Sequence, residues 1–180
     1  MAKSLPHHPE AEMNVLGSIF LDPKSILSVI DQLNNEDFFD QGHQLIFQAM
    51  KELNADQMKI DYASVAAKLE ATMQLAKVGG MKYLIQLSEH VPSTRHLETY
   101  VSFVKDSALK RETIGLASEI LEKGYQGDMD ASQYVTYAEE SIFALAQKRK
   151  TTAFTELSEV MREVKEKTES NRDKKGGITG

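Results

Sequence analysis

Near the N-terminus two histidines stand between two prolines and two glutamates follow: His7-His8-Pro9-Glu10-Ala11-Glu12. These residue types could hold a divalent metal or pass protons. Their spacing argues against it. Adjacent histidines point in different directions, Pro9 stiffens the chain between them and the acids, and a metal-binding helix wants i, i+4 histidines as in H-E-x-x-H. Glu10 and Glu12 suit the first turn of a helix, where carboxylates meet the positive end of the dipole. The stretch therefore reads as the way into a helix. A metal-dependent hydrolase using His7, His8, Glu10 and Glu12 is a rival reading, and it predicts bound zinc or manganese after purification.

Other chemistry-bearing residues are sparse. His43 leads the apolar stripe Leu45–Met50 and reads as a packing or capping histidine. His90 and His96 flank a proline turn. No G-x-S-x-G, G-x-x-x-x-G-K-[ST] or G-x-G-x-x-G occurs, and Gly176-Gly177-Ile178-Thr179-Gly180 has no lysine in register for a phosphate loop. No activated nucleophile or carboxylate dyad is legible, so no catalytic, cofactor or metal residues are expected in this chain. Lys148-Arg149-Lys150 reads as the basic end of a helix rather than a phosphate grip.

The 180 residues allow one good core, or one domain with an arm. A net charge of −6 makes nucleic acid an improbable main partner for this piece. The absence of cysteine excludes disulfides and thiolate zinc sites and fits a reducing compartment. No apolar run approaches the roughly 18 residues needed to span a bilayer, and the N-terminus lacks a secretory h-region. A cytoplasmic location is expected.

Helical periodicity dominates, with no convincing alternating strand. Glu10–Phe20 reads as a first helix. Asp22 caps a second, with Pro23 at its first position and Ile26, Val29, Ile30 and Leu33 inward. Asn34–Asp37 is a turn, followed by Phe38-Phe39 as a buried plug. Gln41–Asn54 is a third helix. Asp61 caps a fourth, carrying Val65, Ala66 and Leu69. Gly79-Gly80 is a hinge before a fifth, Met81–Glu89, which Val91-Pro92-Ser93-Thr94 stops. Arg95 to Lys123 then reads as one helix of about 29 residues, roughly 43 Å long. Gly124 and Gly127 end it, and Asp130 caps a partner helix, Ala131–Lys150, that can return antiparallel. The expected class is all-α: a bundle of short helices (1–94), a long antiparallel helical hairpin (95–150) and a linker (151–180).

The long helix changes face midway. Leu97, Tyr100, Val101, Val104 and Ala108 share one side at 100° per residue. From Leu109 on, Leu116, Ala117 and Ile120 take the opposite side, and Arg111, Glu112, Ser118, Glu119 and Glu122 occupy the formerly apolar one. A helix packed on one core keeps one stripe, so the second half must meet a different partner. On the returning helix Tyr134, Val135, Ala138, Ile142, Leu145 and Ala146 form a stripe, with Tyr137 on its flank and Phe143 well off it. Two helices alone would leave Phe143 in water, and apolar patches of that kind mark an interface. Leu109, Leu116, Ala117, Ile120, Tyr137, Ile142 and Phe143 are the candidate self-association residues. The alternative is a hairpin folded back onto the bundle.

In the linker, Phe154, Leu157, Val160, Met161 and Val164 make one narrow amphipathic stripe suited to docking. The polar run Lys165–Lys175 then leads into the glycine-rich end, as expected for a chain cut at a domain boundary.

These stretches join into a pattern. Glu10-Ala11-Glu12, Val15-Leu16-Gly17-Ser18-Ile19 and Leu21-Asp22-Pro23 resemble the opening of the bacterial and phage replicative DNA helicases of the DnaB family. Glu36-Asp37-Phe38-Phe39, His43 with Ile46-Phe47 and Ala49-Met50, Ile60-Asp61, Gly79-Gly80 with Tyr83-Leu84, Val91-Pro92-Ser93 and Gly177-Ile178-Thr179-Gly180 recur in the same order. Pro9 and Gly42 depart from it, standing where the family usually has an apolar residue and alanine. The resemblance implies an N-terminal domain and linker that pair through helical hairpins and close into a collar as a trimer of dimers. It implies a linker helix that docks on the neighbouring subunit's motor domain, a collar where primase docks and on which loader proteins act, and a motor domain downstream. That motor would use ATP and magnesium to move along single-stranded DNA. A stand-alone helical adaptor without a motor is the rival from another class.

Overall fold

In the computed structural model, which describes residues 4–91 and 93–147, every regular element is helical. Capping side chains explain where the elements begin. His8 opens α1 (Pro9–Leu21), its Nδ1 accepting from the Ala11 amide at 3.2 Å, with Pro9 in the first turn. Asp22 accepts from the Lys24 amide and starts a 3₁₀ turn, Pro23–Ser25, that runs into α2 (Ile26–Ile30). A second 3₁₀ turn, Asn35–Asp37, precedes α3 (Gln41–Ala55), where Asp40 accepts from the Gly42 and His43 amides. Asp61 caps α4 (Tyr62–Ala71). Its bonds from the Ser64 amide and hydroxyl hold its carboxyl below the usual aspartate range. Gly79 and Gly80, both at positive φ, turn the chain into α5 (Gly80–Glu89). A 3₁₀ turn, Thr94–His96, leads into α6 (Leu97–Gln126), and a last helix, α7, covers 131–147.

The chain divides into two compact units, Met1–Gly115 and Leu116–Gly180. In the first, Val15, Leu16, Ile19, Phe38, Phe47 and Leu84 are among the fully buried side chains, each worth about 1.5–3 kcal/mol over exposure. Leu97, Val101 and Val104 add the first half of α6 to this core, as the helical wheel predicts. α1 packs closely on α5, and Gly17 makes that possible: a Cβ there would lie 2.1 Å from the Leu87 carbonyl oxygen. No single helix among the described residues is long and apolar enough to cross a membrane; α1 and α2 reach that composition only as a bent pair.

Two expectations need correction, and one residue has contacts the pattern does not show. Phe38 is fully buried against Phe47, but Phe39 is 40% exposed, its ring lying between His7 and the Arg111 guanidinium rather than in the core. Gly124 does not end the long helix, which continues to Gln126 and stops at Gly127, φ +71°. The glycine at 124 serves a close approach instead, since a Cβ would lie 2.7 Å from the Tyr134 hydroxyl. Arg111, on the formerly apolar side of α6, reaches two distant segments. Its guanidinium donates to the carbonyls of Pro6 (3.0 Å), Glu36 (3.4 Å) and Asp37 (2.5 Å) and lies 5.6 Å from the Phe39 ring. Pro92, Lys148-Arg149-Lys150 and the linker stripe Phe154, Leu157, Val160, Met161 and Val164 lie outside the described residues.

Candidate assembly interface

The N-terminal histidines and glutamates have structural partners. His7 donates from Nδ1 to the Leu5 carbonyl at 2.7 Å and stacks on Phe39 with centroids 4.5 Å apart. His8 stacks on Phe103 at 5.1 Å while capping α1. Glu12 is buried and turned inward, away from any ligand set with the histidines. Its carboxylate accepts from the Phe39 amide (2.7 Å), the Asp40 amide (3.3 Å) and His43 Nδ1 (2.7 Å). His43 Nε2 lies 2.7 Å from the Tyr83 hydroxyl. Burial, and then the charges of Asp40 and Glu12, push the Tyr83 phenol above the ordinary tyrosine range. This Glu12–His43–Tyr83 chain ties α1, α3 and α5 together. Among the described residues no three His, Cys, Asp or Glu side chains gather as a metal site.

In the second unit, two tyrosines join α7 to the end of α6. The Tyr134 hydroxyl donates to the Ile120 carbonyl at 2.7 Å. Tyr137 donates to Glu119 Oε1 at 2.6 Å, with the Lys123 ammonium 5.2 Å from its ring centroid. That bond to a carboxylate, more than burial, raises the Tyr137 phenol above its usual range. Moving forward from Tyr134 to Tyr137 moves backward from Ile120 to Glu119, so the pair is antiparallel.

Half-buried residues mark the inner seam: Leu116, Ile120 and Lys123 on α6, and Tyr134, Tyr137, Ala138, Ser141 and Leu145 on α7. α7 is thus rotated from the expected stripe. Tyr137 faces α6 while Val135, Ile142 and Ala146 face outward, because a tyrosine can pack its ring and still bond its hydroxyl at a wet seam. Of the candidate interface residues, Leu109, Leu116, Ile120 and Tyr137 are half-buried, and Ala117, Ile142 and Phe143 are exposed. Ile142 is 58% exposed and Phe143 63%. Leu121 on α6 is exposed too, one turn beyond Ala117, and Tyr125 one turn further is 84% exposed. Leu121 and Tyr125 follow Ala117 at i, i+4 spacing, a signal in the sequence that puts all three on one face. Both helices carry a half-buried side toward each other and further apolar side chains toward solvent.

A family model described as "DnaB-like helicase N terminal domain" matches residues 4–106. The chain is 32% identical over 175 residues to "Replicative DNA helicase DnaC" of Bacillus subtilis, covering 97% of this chain and 38% of that protein. It is 31% identical over the same length to "Replicative DNA helicase DnaB" of Geobacillus stearothermophilus. The chain thus spans well under half the length of these curated relatives. The crystal structure of the N-terminal domain of DnaB helicase from Mycobacterium tuberculosis superposes with a TM-score of 0.73 at 29% identity, covering 79% of this chain and 99% of that one. The N-terminal domain of DnaB helicase from Helicobacter pylori, described with its interactions with primase, superposes with a TM-score of 0.58 at 26% identity, over 64% and 90%.

Proposed function

Because the chain belongs to the family of DnaB-like helicase N-terminal domains, we propose that it is the collar-forming and partner-docking part of a replicative DNA helicase. Residues 1–94 form the helical body, 95–150 the hairpin through which two chains pair, and 151–180 a linker whose helix docks on a neighbouring motor domain. Three such pairs close the collar, and primase and a helicase loader act on it. The ATP- and magnesium-dependent motor belongs to the remainder of the protein, where hydrolysis drives the ring along single-stranded DNA and opens the duplex in the cytoplasm of a bacterium or an infected host. The residues described here bind and position; none is assigned to nucleotide or metal.

One observation carries the pairing: Phe143 and Ile142 stand in water on a helix whose seam with α6 is already occupied. Covering side chains of that size stabilises by about 1.5–3 kcal/mol each, enough for several to hold an interface. Phe143→Ala with Ile142→Ala should lower the association state in sedimentation while leaving helix content intact. Oligomers of unchanged size would count against pairing through this surface. Leu157→Asp tests the docking stripe: it should impair unwinding by the full-length hexamer and spare the folding of residues 1–150. Normal unwinding by that variant would remove the docking reading.

A further inference from the structure

Arg111 lies where the buried stripe of α6 has ended. Val101 and Val104 are buried and Ala108 half-buried, whereas among the described residues none from Lys110 onward is buried. Apolar packing therefore ceases to hold α6 at about this point, and one guanidinium takes over. Its three carbonyl acceptors belong to two separate segments, the N-terminal stretch at Pro6 and the 3₁₀ turn at Glu36 and Asp37. The same group covers one face of Phe39, whose ring also stacks on His7. Each segment is anchored elsewhere: His8 caps α1 and stacks on Phe103 of α6, and the Phe39 amide is bound to buried Glu12. A planar, permanently charged guanidinium offers five donors in a fixed fork and a flat face for a ring, whereas an ammonium offers three donors on a flexible stem and no plane to stack.

We propose that Arg111 is a positioning residue for assembly: by tying α6 to the Pro6 and Glu36–Asp37 carbonyls and to Phe39, it holds the helix on the body past its last buried apolar contact, so that the helix bearing the pairing residues starts from an anchored turn rather than a frayed one. This rests on the pairing reading above. Arg111 touches no partner in it; it acts through the helix that does.

The chain has no cysteine, so two can be placed at will. Spin labels at Lys24→Cys and Thr113→Cys, both exposed and within the first unit, report the body-to-helix distance. Labelled chain is diluted into unlabelled chain so that each distance arises within one molecule. With Arg111 present one narrow distribution is expected. Arg111→Ala should widen it about twofold with helix content unchanged, and Arg111→Lys, which keeps the charge and loses the fork, should give a width in between. Equal widths in all three would overturn the proposal. Should Arg111→Ala fail to fold, the lysine variant decides alone, by widening or by matching the parent. Loss of pairing shows in sedimentation and not in this intramolecular distance, so failure of either idea is visible separately.

Discussion

The first unit, the body together with α6 as far as Gly115, and the second unit, the rest of the hairpin, solve burial in different ways. The body encloses a large apolar core that includes Phe38, Phe47 and Leu16, and it gives Glu12 and His43 buried partners, with Glu12 alone accepting three hydrogen bonds; the buried Ser18 hydroxyl is the exception among the described residues, with no partner. In the hairpin no described residue from Leu116 on is buried, and its helices are joined by tyrosine hydroxyls and a cation over a ring. A pair of helices with so little enclosed apolar surface is marginal in water unless another surface covers it. The body closes over its own core; the hairpin leaves Leu121, Ile142 and Phe143 uncovered.

That contrast can be broken most severely from the body side. Glu12→Ala should destabilise the first unit by about 3 kcal/mol or more, because two amides and the His43 ring nitrogen lose their acceptor in a dry site. Urea unfolding measures it, and an unchanged midpoint would mean the chain through Glu12 is dispensable. Gly124→Ala acts on the hairpin alone. Its methyl meets Tyr134, and a local cost of about 1–2 kcal/mol should speed amide exchange over 131–147 while α1 and α3 amides keep their protection. Equal acceleration in both units would erase the distinction between them.

The smallest effect is one of pH. The Tyr83 phenol is raised in the folded state, so its contribution is complete below the ordinary tyrosine value of about 10 and is lost as pH climbs through the higher folded value. Stability should therefore fall on the alkaline side, and Tyr83→Phe should flatten that fall. The same slope in both proteins would assign the alkaline loss elsewhere. Tyr137, outside the body, should not change the body's midpoint over this range.

Local signals were the legible ones. Asp22 and Asp61 announce their helices through cap chemistry that needs only neighbouring amides, and Leu97, Val101 and Val104 announce the buried half of α6 through periodicity. The switch of face after Leu109 was equally plain, since it needs only the 100° step. What escaped was nonlocal. Glu12 and His43 are 31 positions apart and His43 and Tyr83 are 40 apart, and each alone has an ordinary reading as a dipole residue, a capping histidine and a half-buried tyrosine. Arg111 reaches 105 positions back to Pro6, and nothing in the pattern around it says so. Gly124 looked like a stop because glycine commonly is one, and only the ring of Tyr134 reveals its other use. The rotation of α7 depended on hydroxyl partners that an apolar count ignores.

The mass of the chain in solution, followed by sedimentation equilibrium across a concentration series, tests the pairing most directly. A mass that rises with concentration to a dimer or a multiple of it, and that falls back toward a single chain for Phe143→Ala with Ile142→Ala, is the predicted result. A single-chain mass for the unaltered protein at every concentration would contradict it.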